Sequence, residues 1–236
     1  MRTLGTIAKW LFILCLPILL LTATIGAGAN SLWLYKHSAE KYGVSQALAS
    51  AGLELSDSEL EQVYAGLISY FNSDEEYISL TVVKDDKPLN LFTPEETIHL
   101  KDAKGLIWLD YWFLLGTLVY VLAYAGASLA RRNRRQLALG LVWSGSLTLG
   151  LILALVLLDT LYGFSRLFYN FHLLFFTNEF WAARGYMLLL YPEGFFIDGA
   201  TFGLLVMAGL AIILGGVGGW YLIFSRRKTP AAAPHP

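Results

Sequence analysis

Cysteine is almost missing: the 236-residue chain has a single one, Cys15, so no intrachain disulfide can staple it. Leu14 before it is too bulky for a lipoprotein processing box, and a thiol inside an apolar run reads as a small packing residue. Charge is scarce too, at 15% of residues, and 17 Lys and Arg against 18 Asp and Glu leave a formal net charge of −1. That balance, with acids gathered in the longer polar segments, argues against nucleic acid as a partner. There is no HExxH motif, no Cys/His quartet for zinc and no P-loop. Gly140-Leu141-Val142-Trp143-Ser144-Gly145 is only loosely like a nucleophile elbow, because it lies within an apolar run with no His or Asp beside it. No internal repeat is visible.

Apolar residues are abundant. They make up 56% of the chain, and the mean hydropathy of +0.54 excludes an ordinary water-soluble domain. Four stretches, near 10–34, 106–129, 137–158 and 200–224, have the roughly 20 apolar residues that a membrane-crossing helix needs. Asp110 is the one formal charge among them, close to the start of its span. The first stretch exceeds the roughly 7–15 residues of a signal-peptide core, so it reads as a retained anchor despite Ala27-Gly28-Ala29.

Arg2 and Lys9 precede the first span, Arg131, Arg132, Arg134 and Arg135 fill the connection between the second and third, and Arg226, Arg227 and Lys228 follow the fourth. By the positive-inside rule these segments are cytoplasmic, and 35–105 and 159–199 share the opposite side. The expected fold class is an all-α polytopic membrane protein with four transmembrane helices and a small α+β extracytoplasmic cap. The expected division is 1–34 for the first helix, 35–105 for the cap and 106–158 for the second and third helices. An aromatic-rich interfacial segment at 159–199 and the last helix with its tail at 200–236 follow. The Ala/Pro-rich end after Lys228 reads as disordered.

Within the cap, Ser56 and Glu59 form a capping box before a helix whose apolar face is Leu60, Val63, Tyr64, Leu67, Ile68 and Phe71. Residues 77–83 predict a strand, 84–88 a turn and 89–92 a returning strand. Thr93-Pro94-Glu95-Glu96 opens another helix, which runs through His99 and Asp102 into the second span. His99 and Asp102, three apart, share a face, where a carboxylate would orient and support the imidazole. In 159–199, Phe164, Phe168, Phe171 and Phe175 recur at near-helical spacing around Arg166, Asn170, His172, Asn178 and Glu179. By pattern alone that stripe is equally an interfacial packing face, and His99 equally a solvated boundary residue. Gly215–Gly219 and the Gly199/Gly203 pair read as helix-packing surfaces.

Leu91-Phe92-Thr93-Pro94-Glu95-Glu96, then His99-Leu100-Lys101-Asp102, together with Phe171-His172-Leu173-Leu174-Phe175-Phe176-Thr177-Asn178-Glu179-Phe180-Trp181, resembles the bacterial lipoprotein intramolecular transacylase family. The resemblance extends over the whole chain. It departs at Ala103, where the family usually has Val, and at Glu179, where Asp is common. It implies an acyltransferase of the bacterial cytoplasmic membrane, with both termini cytoplasmic and the site on the extracytoplasmic side. Its substrate is a diacylglyceryl-modified lipoprotein among membrane lipids, and no cofactor or metal is required. The sn-2 acyl chain moves to the lipoprotein's own α-amine. His99 and His172 are implied as the catalytic pair; the first ordering has His99, buttressed by Asp102, as base and His172 as acid or oxyanion partner, with the reverse ordering left open. Arg166 and Asn178 are further donors, and Tyr70, Phe175, Phe176 and Trp181 would line the acyl and thioether pocket. Two other readings share these residues: an N-acyltransferase fed by a separate phospholipid, and a non-catalytic membrane sensor or assembly factor with a ligand-binding cap. Oligomeric state is not legible in the sequence.

Overall fold

The computed structural model describes residues 2–226, so Arg227, Lys228 and the Ala/Pro-rich tail lie outside the described residues. The described chain is dominated by four long apolar helices: α1 (Arg2–Ala29), α5 (Pro94–Ala130), α6 (Arg134–Tyr162) and α9 (Glu193–Arg226). Each holds a stretch long and apolar enough to cross a membrane. Shorter helices α2 (Leu32–Lys41), α3 (Val44–Ser50), α4 (Asp57–Phe71), α7 (Phe164–Phe175) and α8 (Met187–Leu190) and one hairpin complete the fold. The expected membrane-helix architecture with a small α+β part is what the chain adopts.

Two compact units divide the chain. One gathers α1 as far as Thr24, Trp112–Leu157 and α9 from Leu204 onward. Its interior holds Phe12, Leu16 and Val121 in one cluster and Leu20, Met207 and Ala211 in another. Along the helices many outward-facing side chains are large and apolar, among them Leu122, Leu153, Leu205 and Ile212, the inverse of a water-soluble surface. Small residues let backbones meet: a Cβ on Gly145 would lie 2.7 Å from the Ala211 carbonyl oxygen and 3.2 Å from Gly215 Cα. A Cβ on Gly218 would likewise lie 2.6 Å from the Ala138 carbonyl oxygen. The Gly215–Gly219 stretch therefore does serve as a close-packing face of α9 against α6.

The other unit is Ile25–Tyr111 with Leu158–Gly203. The capping box predicted at Ser56 forms: Glu59 N–H donates to Ser56 Oγ, and the Glu59 carboxylate accepts from Ser56 N–H at 2.8 Å. Its helix, α4, buries Leu60, Val63, Tyr64, Leu67, Tyr70 and Phe71 against Tyr35, Leu48, Leu53, Leu91, Leu100, Met187 and Leu190. Tyr64 Oη donates to the Leu190 carbonyl at 3.1 Å, satisfying a buried hydroxyl while joining α4 to α8.

Three boundaries differ from the sequence expectation. The first helix stops at Ala29 rather than near residue 34, because Asn30 Nδ2 turns back to the Gly26 carbonyl at 2.7 Å and Ser31 caps α2. The strands are shorter and shifted, with β1 at Thr81–Lys84 and β2 at Lys87–Asn90. The reason is local: Asp85 and Asp86 both take positive φ (51° and 59°), making a two-residue turn that pairs Lys84 directly with Lys87. The helix of the fourth span begins at Glu193, well before residue 200.

Replacing Gly145 by Val should force α6 and α9 apart. We expect a loss of about 1–3 kcal/mol, the usual cost of overpacking, seen as a lower thermal midpoint in detergent, while Val at Gly150, whose Cβ would meet nothing within 4 Å, changes little.

Candidate active site

Residues 94–105 carry the polar face of α5. A 37-residue helix is about 55 Å long at about 1.5 Å per residue, well beyond a hydrocarbon core of roughly 30 Å, so these turns extend past the apolar span and hold His99 outside it. The helix start is tied by Glu96, which is fully buried. Glu96 N–H donates to Thr93 Oγ1 at 3.2 Å, and Glu96 Oε2 accepts from Thr93 N–H at 3.0 Å, a reciprocal cap. Oε1 accepts from Met187 N–H at 2.8 Å, so the same carboxylate ties down the segment that leaves the second histidine's neighbourhood. A Cβ on Gly185 would fall within 2.4 Å of all three carboxyl atoms, so only glycine lets the loop pass there.

His172 arrives from a different direction. Gly163, at φ +78°, ends α6 and redirects the chain into α7, whose aromatic stripe turns His172 inward. His172 Nδ1 lies 2.7 Å from the Phe168 carbonyl oxygen. A carbonyl only accepts, so Nδ1 carries the proton and Nε2 keeps the lone pair. The rings of His99 and His172 lie 5.9 Å apart, and both side chains are buried. Phe176 touches both, at 4.8 and 5.4 Å, and Trp181 lies 4.8 Å from His172, with Tyr169 behind it at 5.5 Å.

Burial pushes the His99 pKa down from 6.5 to about 4, the neighbouring His172 pushes it further in that direction, and the Asp102 carboxylate opposes both. His99 is therefore a neutral imidazole at ordinary pH, and its Nδ1 is buried without a hydrogen-bond partner. No hydrogen bond from His99 to the Asp102 carboxylate is seen among the described residues. Asp102 Oδ2 accepts instead from Asn178 Nδ2 at 2.9 Å, while Asn178 Oδ1 accepts from Phe180 N–H at 3.0 Å. Asn178 sits on a loop that brings a competing donor to the carboxylate, which same-helix spacing could not reveal. A cleft of about 340 Å³ opens beside the pair, lined by Lys101, Asp102, Gly105, Leu106, Phe175, Phe176 and Thr177.

The fold thus brings together His99, His172, Asp102, Asn178, Phe175, Phe176 and Trp181. It does not bring in Arg166, which is exposed on α7 with its guanidinium 5.9 Å from the Tyr162 ring centre. Tyr70 belongs to the core around α4, where its hydroxyl donates to the Glu76 carbonyl at 3.0 Å and Lys104 Nζ lies 4.3 Å from its ring centre. Sequence reasoning missed the second role of Glu96 and the cleft residues Lys101, Gly105 and Leu106. Leu106 lies four residues after Asp102, so helical spacing alone would have offered it.

The family model described as lipoprotein intramolecular transacylase Lit matches residues 10–196. The chain belongs to the lipoprotein intramolecular transacylase family. Among solved structures, it resembles the membrane-integral Lit of Bacillus cereus at a TM-score of 0.79 and 19% identity, covering 97% of this chain and 100% of that one. Two forms of the same Bacillus cereus protein, with one histidine replaced by arginine or by alanine, match at TM-scores of 0.75 and 0.76, each at 18% identity. They cover 97% of this chain and 96% and 97% of theirs. At such identity the likeness establishes the shared membrane-protein fold. A sequence comparison with curated proteins finds no match. With its family and its four apolar helices, the chain is a membrane protein of the transacylase class.

Two predictions follow from this geometry. Glu96→Ala removes the acceptor for two backbone donors, Thr93 and Met187, and should cost on the order of 2–4 kcal/mol in chemical denaturation, while Glu96→Gln retains one acceptor and loses less. The second concerns pH. His99 in the folded protein titrates below its unfolded value, so its contribution to stability is complete above about pH 6.5 and is lost as pH falls toward 4. The drop from 6.5 to about 4, at about 1.4 kcal/mol per pH unit, amounts to roughly 3 kcal/mol. Unfolding free energies measured between pH 7 and 4 should fall by that order in the native chain and less in His99→Gln, whose side chain does not titrate.

Proposed function

We propose that this chain moves the sn-2 acyl chain of a diacylglyceryl-cysteine lipoprotein onto that lipoprotein's own N-terminal α-amine, leaving an N-acylated lyso-form. The observation that carries the reading is the buried histidine pair, 5.9 Å apart, with one ring in a defined tautomer, packed on Phe176 where that ring lines a cleft. Ester becomes amide, so the transfer runs downhill with no nucleotide or acyl carrier.

The tautomer favours His172 as base, the second of the two orderings left open by the sequence. The amine, with a pKa of about 8, must shed a proton as it attacks. His172 Nε2 offers the lone pair, and Nδ1–H remains held by the Phe168 carbonyl. The new C–N bond forms and the carbonyl oxygen takes the negative charge. His99, kept neutral by burial, donates a ring N–H to that oxyanion, as a neutral imidazole can without supplying a proton outright. When the sn-2 C–O bond breaks, protonated His172 returns its proton to the departing alkoxide, which leaves as a hydroxyl. Counted from the neutral amine, protons balance and His172 is regenerated; an α-ammonium that enters the site first releases one further proton to water.

The reacting path closes a medium ring through carbonyl carbon, sn-2 oxygen, two glyceryl carbons, sulfur, Cβ, Cα and nitrogen. Many rotors must freeze to close it, and a tight aromatic site formed by Phe175, Phe176 and Trp181 supplies the proximity that solution lacks. Arg and Lys in the short connections support an orientation with both termini cytoplasmic. In that orientation 35–105, as cap, and 159–199 carry the histidines on the extracytoplasmic side of the cytoplasmic membrane.

The test is mass spectrometry of a diacylglyceryl lipopeptide with a free N-terminus, incubated with purified protein and no lipid donor. We expect an unchanged mass with one acyl chain relocated to the amine, and a loss of at least about 10³-fold in rate for His172→Ala and about 10²-fold for His99→Ala. A mass gain of one acyl chain that appears only when phospholipid is added would replace this reading with intermolecular transfer. No change under either condition would favour a non-catalytic role.

A further inference from the structure

The carboxylate of Asp102 is available for a task other than supporting His99. It is a wall of the cleft, and the hydrogen bond it receives comes from the neutral amide of Asn178. Titratable groups beside it include His99, Lys101 and Tyr70. From its own helix, His99 is an uncharged ring and Lys101 is engaged elsewhere, its Nζ donating to Glu76 and to Tyr77 Oη. From α4, Tyr70 contributes a phenol whose hydroxyl is already bonded to the Glu76 carbonyl. Asn178, on the loop after α7, brings no charge. The other walls are Gly105, Leu106, Phe175, Phe176 and Thr177. A carboxylate on the wall of a cleft that mixes polar and aromatic residues, steadied by an amide but not neutralised by it, with the Lys101 ammonium drawn off to Glu76, is set up to receive a cation.

Resting on the transacylase reading above, we propose that Asp102 is the specificity residue that captures the lipoprotein's α-ammonium group and delivers its nitrogen to the histidine pair. The ammonium is the cation of the substrate that lies at the reacting nitrogen. Asn178 holds the carboxylate toward the cleft, which is why it bonds Asp102 and not a histidine. The same contact separates substrate from product. Once the nitrogen is an amide it carries no charge, Asp102 loses its partner, and the N-acylated product leaves. An N-terminus already acylated is refused for the same reason.

Binding is the direct test, measured on the full chain in detergent micelles with a fluorescent lipopeptide whose sn-2 chain is ether-linked and cannot transfer. A second probe is the same lipopeptide with its amine acetylated. At pH 7 the native protein should bind the free-amine form at least about tenfold tighter than the acetylated one, in line with a hydrogen bond to a charged group. Asp102→Asn should bind both forms equally, with the affinity for the acetylated form unchanged. Turnover of the ester-linked lipopeptide adds a readout that a purely structural role would not move: the kcat/KM defect of Asp102→Asn should narrow as pH rises past the amine pKa of about 8. Persisting preference for the amine in Asp102→Asn, or equal weakening of both forms, overturns the proposal. If the variant does not fold, the native protein decides, because its preference for the amine must shrink between pH 7 and 9.5. Absence of N-acyl product from the native protein would instead defeat the transacylase reading, and the two binding probes would still report on Asp102.

Discussion

One buried carboxylate joins the two halves of the candidate site. Glu96 receives a backbone N–H from Thr93, at the start of the helix that bears His99, and another from Met187, beyond the loop that follows His172. A fully buried acid with no hydrogen bonds would be a liability of several kcal/mol. With backbone donors on both oxygens it becomes a fixed point from which two distant segments, 91 residues apart, take their mutual position. Gly185 makes the approach feasible, since any side chain there would collide with the carboxyl group.

What rests on that fixed point is an aromatic-rich setting for two buried histidines. His99 is neutral because burial removes the solvation a cation would need, and His172 is committed to one tautomer by a backbone carbonyl four residues earlier on its own helix. The two rings are chemically identical side chains with different assignments, and environment alone separates them. Phe176 packs against both, so the spacing of the pair is set by a ring that cannot compress. Among the described residues lining the cleft, Asp102 is the one carboxylate; it accepts a hydrogen bond from the neutral Asn178 amide, while Lys101 reaches away to Glu76.

Much of the architecture was legible from composition and spacing. Long apolar runs produce long helices whatever the tertiary context, because a backbone without water must satisfy its own hydrogen bonds. Capping at Ser56 and Thr93 was equally readable, since it depends on residues three apart. Local chemistry also explains the misplaced boundaries. Asn30 and Ser31 interrupt the first helix through side-chain bonds that hydropathy does not register, and Asp85-Asp86 adopts a left-handed turn that shifts the hairpin inward. Arg166 and Tyr70 entered the expected site by residue type, yet Arg166 is exposed along α7, and Tyr70 packs in the core around α4, close enough to Asp102 to feel its charge.

By itself, then, the sequence determined the four apolar helices, the capped helix starts, and the presence of two histidines in distinctive surroundings. Each of these depends on interactions between residues near one another in the chain. Only the tertiary structure decided that the histidines meet, which nitrogen of His172 bears the proton, and that Asp102 pairs with Asn178 and not with His99. Those outcomes turn on distances of 3–6 Å between segments separated by some 70 residues, and no local propensity carries that information.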